Sequence, residues 1–178
     1  MQEIAMNILD ITYNSIRAGA TMIKVLITDS LKQNIIEIKI IDNGKGMDKE
    51  TLTKVTDPFY TTRTTRKVGL GIPIFKENIE ATGGHFDIES TVNIGTSVTG
   101  IFVKDHLDTP PMGNIVDTMV TLIQADEKID YIFEYNTDDF NFTLDTCQIK
   151  EILGNDVSIT EPQIIMWLKD YMKEGLHS

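Results

Sequence analysis

Asp10 and Asn14 stand four residues apart in a segment that reads as a helix, so their side chains share a face, with Arg17 near the same side. Both are poor helix-interior residues, and they interrupt a run in which Ile4, Ile8, Ile11 and Ile16 recur near helical spacing. The carboxamide oxygen of Asn14 is a hard ligand suited to Mg2+, and a carboxylate one turn earlier can orient a water or a hydroxyl as a base. Taken alone, a solvated helix face explains the trio more simply. A second group, Asp42-Asn43-Gly44-Lys45-Gly46-Met47, follows a strand-like run. Its glycines permit backbone approaches that other residues resist. The Asp42 carboxylate accepts hydrogen bonds only, so it can read the exocyclic amine of adenine, which guanine does not present at that position. The plainer reading is a strand-to-helix turn, for which Asn-Gly is ordinary chemistry.

The third group runs Asp57-Pro58-Phe59-Tyr60-Thr61-Thr62-Arg63-Thr64-Thr65-Arg66-Lys67-Val68-Gly69-Leu70-Gly71. Hydroxyls and three cations, Arg63, Arg66 and Lys67, precede glycines at a helix start, where free N–H groups and a partial positive charge suit phosphate. A charged, solvated loop is the competing explanation. The fourth group, Gly95-Thr96-Ser97, opens a strand and offers a hydroxyl at Thr96; by itself it reads as a hairpin turn.

The elements that must carry these groups follow from periodicity. A helix is expected over about 2–18, ended by Gly19, and strands over 22–28 and 34–41, the second alternating Ile36, Ile38 and Ile40 with charged residues. A helix over about 72–82 presents Ile72, Phe75 and Ile79, with Pro73 in its first turn. Strands over 85–91 and 96–104 complete an α+β pattern: a two-layer sandwich with a mostly antiparallel sheet and helices on one face. Beyond residue 110 the pattern predicts a helix near 115–123, a hairpin of 131–135 with 140–144, a short helix over 147–153, and a last helix from Thr160. Thr160 with Gln163 has the spacing of a capping box. Trp167, with Ile164, Leu168 and Tyr171 at helical spacing, is expected in the core.

Composition narrows the classes. The chain has 178 residues, 41% hydrophobic and 24% charged, which is globular. No apolar run approaches a membrane span, and Met1-Gln2-Glu3 does not begin a secretory signal. Cys147 is the single cysteine, so no internal disulfide forms, and no Cys/His cluster suits zinc. A cytoplasmic protein is the simplest expectation. The net charge of −11 disfavours nucleic acid as a partner. The charge is also uneven: residues 1–105 carry 12 Lys/Arg against 13 Asp/Glu, and residues 106–178 carry 4 against 14. The step falls at Asp108-Thr109-Pro110-Pro111, so a boundary is expected there between a first domain, 1–105, and an acidic α+β module, 106–178.

Four motifs in this order resemble those of the GHKL ATPases, the superfamily of gyrase, the large heat-shock chaperone, histidine kinases and mismatch-repair ATPases. The N-box resembles Asp10 to Ala20, the first glycine box Asp42 to Met47, the phenylalanine box and lid Asp57 to Ile72, and the second glycine box Gly95-Thr96-Ser97. The resemblance covers about residues 1–104 and implies a Bergerat ATP-binding fold. It implies that Asn14 binds Mg2+, that Asp42 binds the adenine amine, and that 57–71 is an ATP lid. The nucleotide-binding set it implies is Asn14, Arg17, Asp42, Gly44, Gly46, Met47, Phe59, Thr61, Thr62, Arg63, Arg66, Lys67, Gly69, Leu70, Gly71 and Thr96. The short lid and Asp57-Pro58-Phe59-Tyr60-Thr61-Thr62 look most like the catalytic domain of histidine kinases; the N-box tail looks more like the mismatch-repair branch.

The departures carry information. Hydrolytic members of the family hold a glutamate where this chain has Asp10, one methylene shorter. The extra glycine common in kinases before Gly-Leu-Gly is replaced by Lys67-Val68. The chain begins just ahead of the N-box, so a phospho-accepting histidine helix pair is not expected within it; His85, His106 and His177 lie downstream. The resulting expectation is a Mg·ATP-binding, kinase-like phosphotransferase that acts on a separate protein partner, with Asp10 as candidate base. A slow ATPase switch and a non-catalytic nucleotide sensor are the alternatives, and a homodimer stays open.

Overall fold

The computed structural model describes residues 2–57, 59 and 70–177. Helix α1 spans Ile4–Arg17 and is followed by strands β1, Met22–Ser30, and β2, Ile35–Asp42. Helix α2, Lys49–Val55, comes next, then α3, Gly71–Ala81, and strands β3, His85–Thr91, and β4, Gly95–Val103. Helix α4, Ile115–Ala125, leads to β5, Asp130–Thr137, and β6, Asn141–Asp145; α5, Thr146–Leu153, and α6, Pro162–Leu176, close the chain.

The six strands form one sheet in the order β3-β4-β2-β1-β5-β6. Every neighbouring pair is antiparallel except β1 with β5, which run parallel. Alternation decides which face is covered. Ile23, Val25 and Ile27 of β1 are fully buried; Ile40 and Ile38 of β2 lie in register beside Val25 and Ile27, and Tyr131, Phe133 and Tyr135 of β5 lie beside all three. Against that face pack α1 through Ile4, Ile8 and Ile11, α3 through Ile72, Phe75 and Ile79, and α4 through Met119, Leu122 and Ile123. Helix α6 adds Ile165, Leu168 and Met172 beyond α4. The other face alternates toward solvent with Lys24, Glu37 and Lys39. This is the two-layer α+β sandwich expected from the periodicity.

The acidic segment is built into the same sheet. The charge step near residue 108 is not a break in the backbone hydrogen bonding, because β5 extends the edge of β1 and brings β6 with it. The linker also reaches the start of α1: the N–H groups of Ile4 and Ala5, which a helix leaves unsatisfied, donate to the carbonyls of Pro111 and Met112 at 2.9 and 2.8 Å. The β1–β2 turn is pinned to the β5–β6 hairpin by Asp138, which accepts from Ser30 Oγ at 2.7 Å and from the Leu31 and Lys32 N–H groups.

Three expectations need correction. The last helix starts at Pro162 with Glu161 at its cap and no side-chain capping bond, so the Thr160/Gln163 box is not made. Thr160 Oγ1 instead pairs with Ser158 Oγ at 2.8 Å, and proline sets the helix start. Trp167 is not core: it is 49% exposed and stacks on Tyr171 at 5.0 Å, while Leu168, one residue on, takes the buried position. Finally, α2 was not anticipated. Asp48 caps it by accepting from the Thr51 N–H at 2.8 Å, a bond that holds the Asp48 carboxyl below the usual carboxylate range.

Candidate functional site

The N-box helix and the first glycine loop meet through one carboxylate. Asp42 ends β2, and its Oδ2 accepts from Ser15 Oγ of α1 at 2.5 Å. Its Oδ1 accepts from the Gly44 N–H at 2.8 Å and the Thr96 N–H at 3.3 Å. Asp42 therefore ties together α1, the loop after β2 and the start of β4. The loop is pinned on its outer side by Asn43, whose Oδ1 accepts from the Thr21 and Met22 N–H groups at 2.8 and 3.0 Å.

Two glycines let this loop close. Gly46 has φ +68°, and a Cβ there would lie 2.0 Å from the Thr91 carbonyl oxygen. Gly95 has φ +143°, and a Cβ would lie 1.9 Å from the Asp42 carbonyl oxygen. The β3–β4 turn is thus pressed against the glycine loop. Ser90 Oγ completes the contact, receiving the Met47 N–H at 2.8 Å and pairing with Thr96 Oγ1 at 2.8 Å.

The result is a cavity of about 250 Å³. Of the residues expected at the site, Asn14, Arg17, Asp42, Gly46, Met47 and Thr96 line it. Its floor is apolar, with Ile11, Ile72 and Val98, and α2 supplies one wall through Thr51 and Val55. A largely apolar cavity with one half-buried carboxylate in its lining suits a heterocycle better than an extended polar chain. Gly44 does not line the cavity but packs on it: a Cβ there would lie 2.9 Å from Ala18 Cβ.

Asp10 stands apart from the cavity, beside the start of α3. A Cβ placed on Gly71 would lie 3.1 Å from Asp10 Cβ, so the glycine allows the two helices to touch there. Helix α3 has no side-chain cap at Leu70, and Pro73 lacks an N–H. A helix leaves its first N–H groups without intrahelical partners, and among the described residues no side chain caps α3. Phe59 is 74% exposed and does not line the cavity; its N–H donates to Asp57 Oδ1 at 2.9 Å. Thr61, Thr62, Arg63, Arg66, Lys67 and Gly69 lie outside the described residues.

Sequence reasoning missed Ser15, Lys45, Ser90 and the α2 wall. Ser15 sits one residue after Asn14 and was readable only as part of a motif. Ser90 joins the site through a strand pairing that no local pattern announces.

A metal would find a sparse donor set. Among the described residues there is no group of three or more His, Cys, Asp or Glu side chains able to hold an ion. Asn14 Oδ1 is a hard oxygen on the cavity wall, now accepting from Arg17 Nη2. One protein oxygen, completed by phosphate oxygens and water, is a set that Mg2+ favours.

Residues 1–106 match the model of the histidine kinase-, DNA gyrase B- and HSP90-like ATPase family. The chain belongs to this family. Domains of this family bind ATP. The sensor histidine kinase YvrG of Bacillus subtilis (strain 168) is 39% identical over 88 residues, 47% of this chain and 15% of its own length. A putative sensor protein of Shewanella frigidimarina (strain NCIMB 400) is 32% identical over 109 residues, 60% of this chain and 17% of its own. The chain thus spans about a sixth of the length of these relatives. Among solved structures, the Aquifex aeolicus MutL ATPase domain complexed with ADP superposes with a TM-score of 0.54 at 14% identity, covering 82% of this chain and 63% of that one. That likeness concerns the fold alone. Its coverage exceeds the family-matched 1–106, so it includes part of the acidic segment. No helix among the described residues is long and apolar enough to cross a membrane.

Proposed function

We propose that this chain binds Mg·ATP and works as a kinase-like phosphotransferase toward a separate protein partner. The observation that carries the nucleotide reading is Asp42, an acceptor-only group in the lining of a largely apolar cavity, tied by three hydrogen bonds to the elements that form it. The adenine ring lies in the cavity with its amine toward Asp42. Its phosphates leave past Asn14 and Arg17 toward the N-terminus of α3. Asn14 Oδ1, which accepts from the Arg17 guanidinium, would hold the metal, and Arg17 would then be available to a phosphate oxygen. Mg2+, when bound, neutralises phosphate charge.

Phosphoryl transfer needs mainly positioning and charge neutralisation, and this site offers both. Asp10, beside the start of α3, serves as base toward the incoming hydroxyl or nitrogen of the acceptor. A slow hydrolytic reading has the same support, because Asp10 touches the start of α3.

Calorimetry with ATP and GTP, each with Mg2+ or with chelator, tests the reading first. Saturable ATP binding, strengthened by Mg2+ and much weaker for GTP, is expected. Transfer of label from γ-labelled ATP is then followed with the protein alone and with fractions of its native cell. Label reaching a second protein supports the kinase reading, and phosphate release by the chain alone supports the hydrolytic one. Absence of ATP binding by the folded chain refutes both.

A further inference from the structure

Gln2 lies ahead of α1 and outside every motif, yet its side-chain amide Nε2 donates to Asp10 Oδ2 at 3.0 Å. We propose that Gln2 is a positioning residue for Asp10, holding one carboxylate oxygen so that the other is presented beside the start of α3. The inference rests on the reading of Asp10 given above and adds to it a residue that the family's motifs do not include.

The geometry favours the arrangement. Side chains on a helix lean toward its N-terminus, so Asp10 leans back toward Gln2. Gln2 and Asp10 are both half-buried. No described residue donates to Asp10 Oδ1, which leaves that oxygen as the open acceptor. On the other side, Gly71 confines the Asp10 Cβ. Asp10 is therefore bounded by an amide and by the first residue of α3, and a carboxylate so bounded has few rotamers left.

Gln2 is itself held. Its neighbours Ile4 and Ala5 donate to Pro111 and Met112, and the Glu3 side chain occupies the space a Cβ on Gly113 would need. The segment that places Gln2 is thus anchored by the linker into the acidic part of the chain. An amide also suits the task chemically. It donates to a carboxylate without titrating and without cancelling its charge, so Oδ1 keeps its strength as an acceptor.

The test compares Gln2→Met, similar in length without a donor, with Gln2→Lys, which restores one. Asp10→Asn and Asp10→Ala are measured in parallel. Without nucleotide, the Gln2 side-chain amide signals in a 15N-edited NMR spectrum should stand away from free-glutamine positions and move to them in Asp10→Ala. In single turnover at saturating Mg·ATP, Gln2→Met should slow ADP formation about tenfold. Its ATP affinity should stay within about twofold, and Gln2→Lys, whose ammonium restores a donor but offsets the Asp10 charge, should recover only part of the rate. A purely structural role would instead lower affinity and rate together, and that result overturns the proposal. So do amide signals indifferent to Asp10→Ala, or an unchanged Gln2→Met rate where Asp10→Asn is slow. An unchanged Asp10→Asn rate marks a different failure, that of the underlying reading of Asp10.

Discussion

Replacing Asp42 by asparagine separates the two tasks this residue performs. In the apo fold its Oδ1 receives two backbone N–H groups, from Gly44 and Thr96, and its Oδ2 receives the Ser15 hydroxyl. Asparagine keeps an oxygen for the backbone pair. Its NH2 then faces Ser15 Oγ, which can rotate its proton away and accept. The internal bonds are all remade, so the fold should lose little. Toward the ligand the change is severe, because a donor now meets the donor amine of adenine. A hydrogen bond to a charged group contributes about 1.5–3 kcal/mol, which at about 1.4 kcal/mol per decade is a loss of about 10- to 150-fold in affinity.

Titration calorimetry with ATP measures this directly, with the thermal midpoint of each variant as the check on folding. Ser15→Ala is the graded companion: it removes one neutral donor and leaves the charge, so a loss of about 2- to 10-fold is expected. Inosine triphosphate, which carries a carbonyl where adenine carries the amine, should bind wild type poorly and close part of the gap in Asp42→Asn. ATP affinity within twofold of wild type in folded Asp42→Asn would refute the assignment of this carboxylate to the base. Equal preference of wild type for both nucleotides would refute it independently.

Other outcomes follow from single contacts. Asn14→Ala should abolish the Mg2+-dependent part of ATP binding and keep the part measured in chelator; equal Mg2+ dependence in both proteins removes Asn14 as a ligand. Gly71→Ala places a Cβ 3.1 Å from Asp10 Cβ, so α3 must shift by a few tenths of an ångström. Its single-turnover rate should fall severalfold with little change in ATP affinity, and an unchanged rate shows that the spacing of Asp10 to α3 is not critical. Burial, then the charge of Asp126, raises the Tyr131 phenol; burial, then the nearby Asp29, pushes the Tyr135 phenol up to about 12. Because the unfolded chain ionises near pH 10 and the folded one later, the stability these phenols contribute is complete below pH 10 and is lost as pH rises toward 12. The loss is at most about 1.4 kcal/mol per pH unit per tyrosine. Urea unfolding between pH 9 and 11.5 should show that slope, and Tyr131→Phe should flatten it.

What the sequence revealed and what it hid have physical reasons. Ile36, Ile38 and Ile40 alternate because one face of β2 is covered, and period-two alternation survives any change of neighbour. Ile72, Phe75 and Ile79 announce α3 for the same reason at helical period. Gly46 was readable because a positive φ restricts residue type, and Asp42 and Thr96 because they stand in short motifs at strand ends. Ser90 was not, since it acts only once β3 pairs with β4. Helix α2 escaped because it is short and buries no residue, leaving no apolar stripe to detect. Trp167 misled because helical spacing identifies a stripe but not its edge; Trp167 and Tyr171 lie on the margin of the face that Leu168 and Met172 bury.

The acidic half illustrates the largest gap between pattern and structure. Net charge reports on the surface, whereas membership of a sheet depends on backbone hydrogen bonds and on the inward side chains. Residues 130–137 carry Asp130 and Glu134, yet their other face presents Tyr131, Phe133 and Tyr135, in register with Ile23, Val25 and Ile27 of β1. A strand can thus be acidic outward and fully core inward, and only the second property decides where it pairs. That pairing has a consequence for the site. β1 is bounded by β2 on one side and β5 on the other, and α1 starts on carbonyls of Pro111 and Met112. The helix carrying Gln2 ahead of it, and Asp10 and Asn14 along it, is consequently set at its first turn by the acidic half and at its last by Asp42 through Ser15. Displacing the linker at 111–113 would therefore act on Asp10 before it acted on Asp42, so the Asp10 end of α1 is the end that the acidic half can influence.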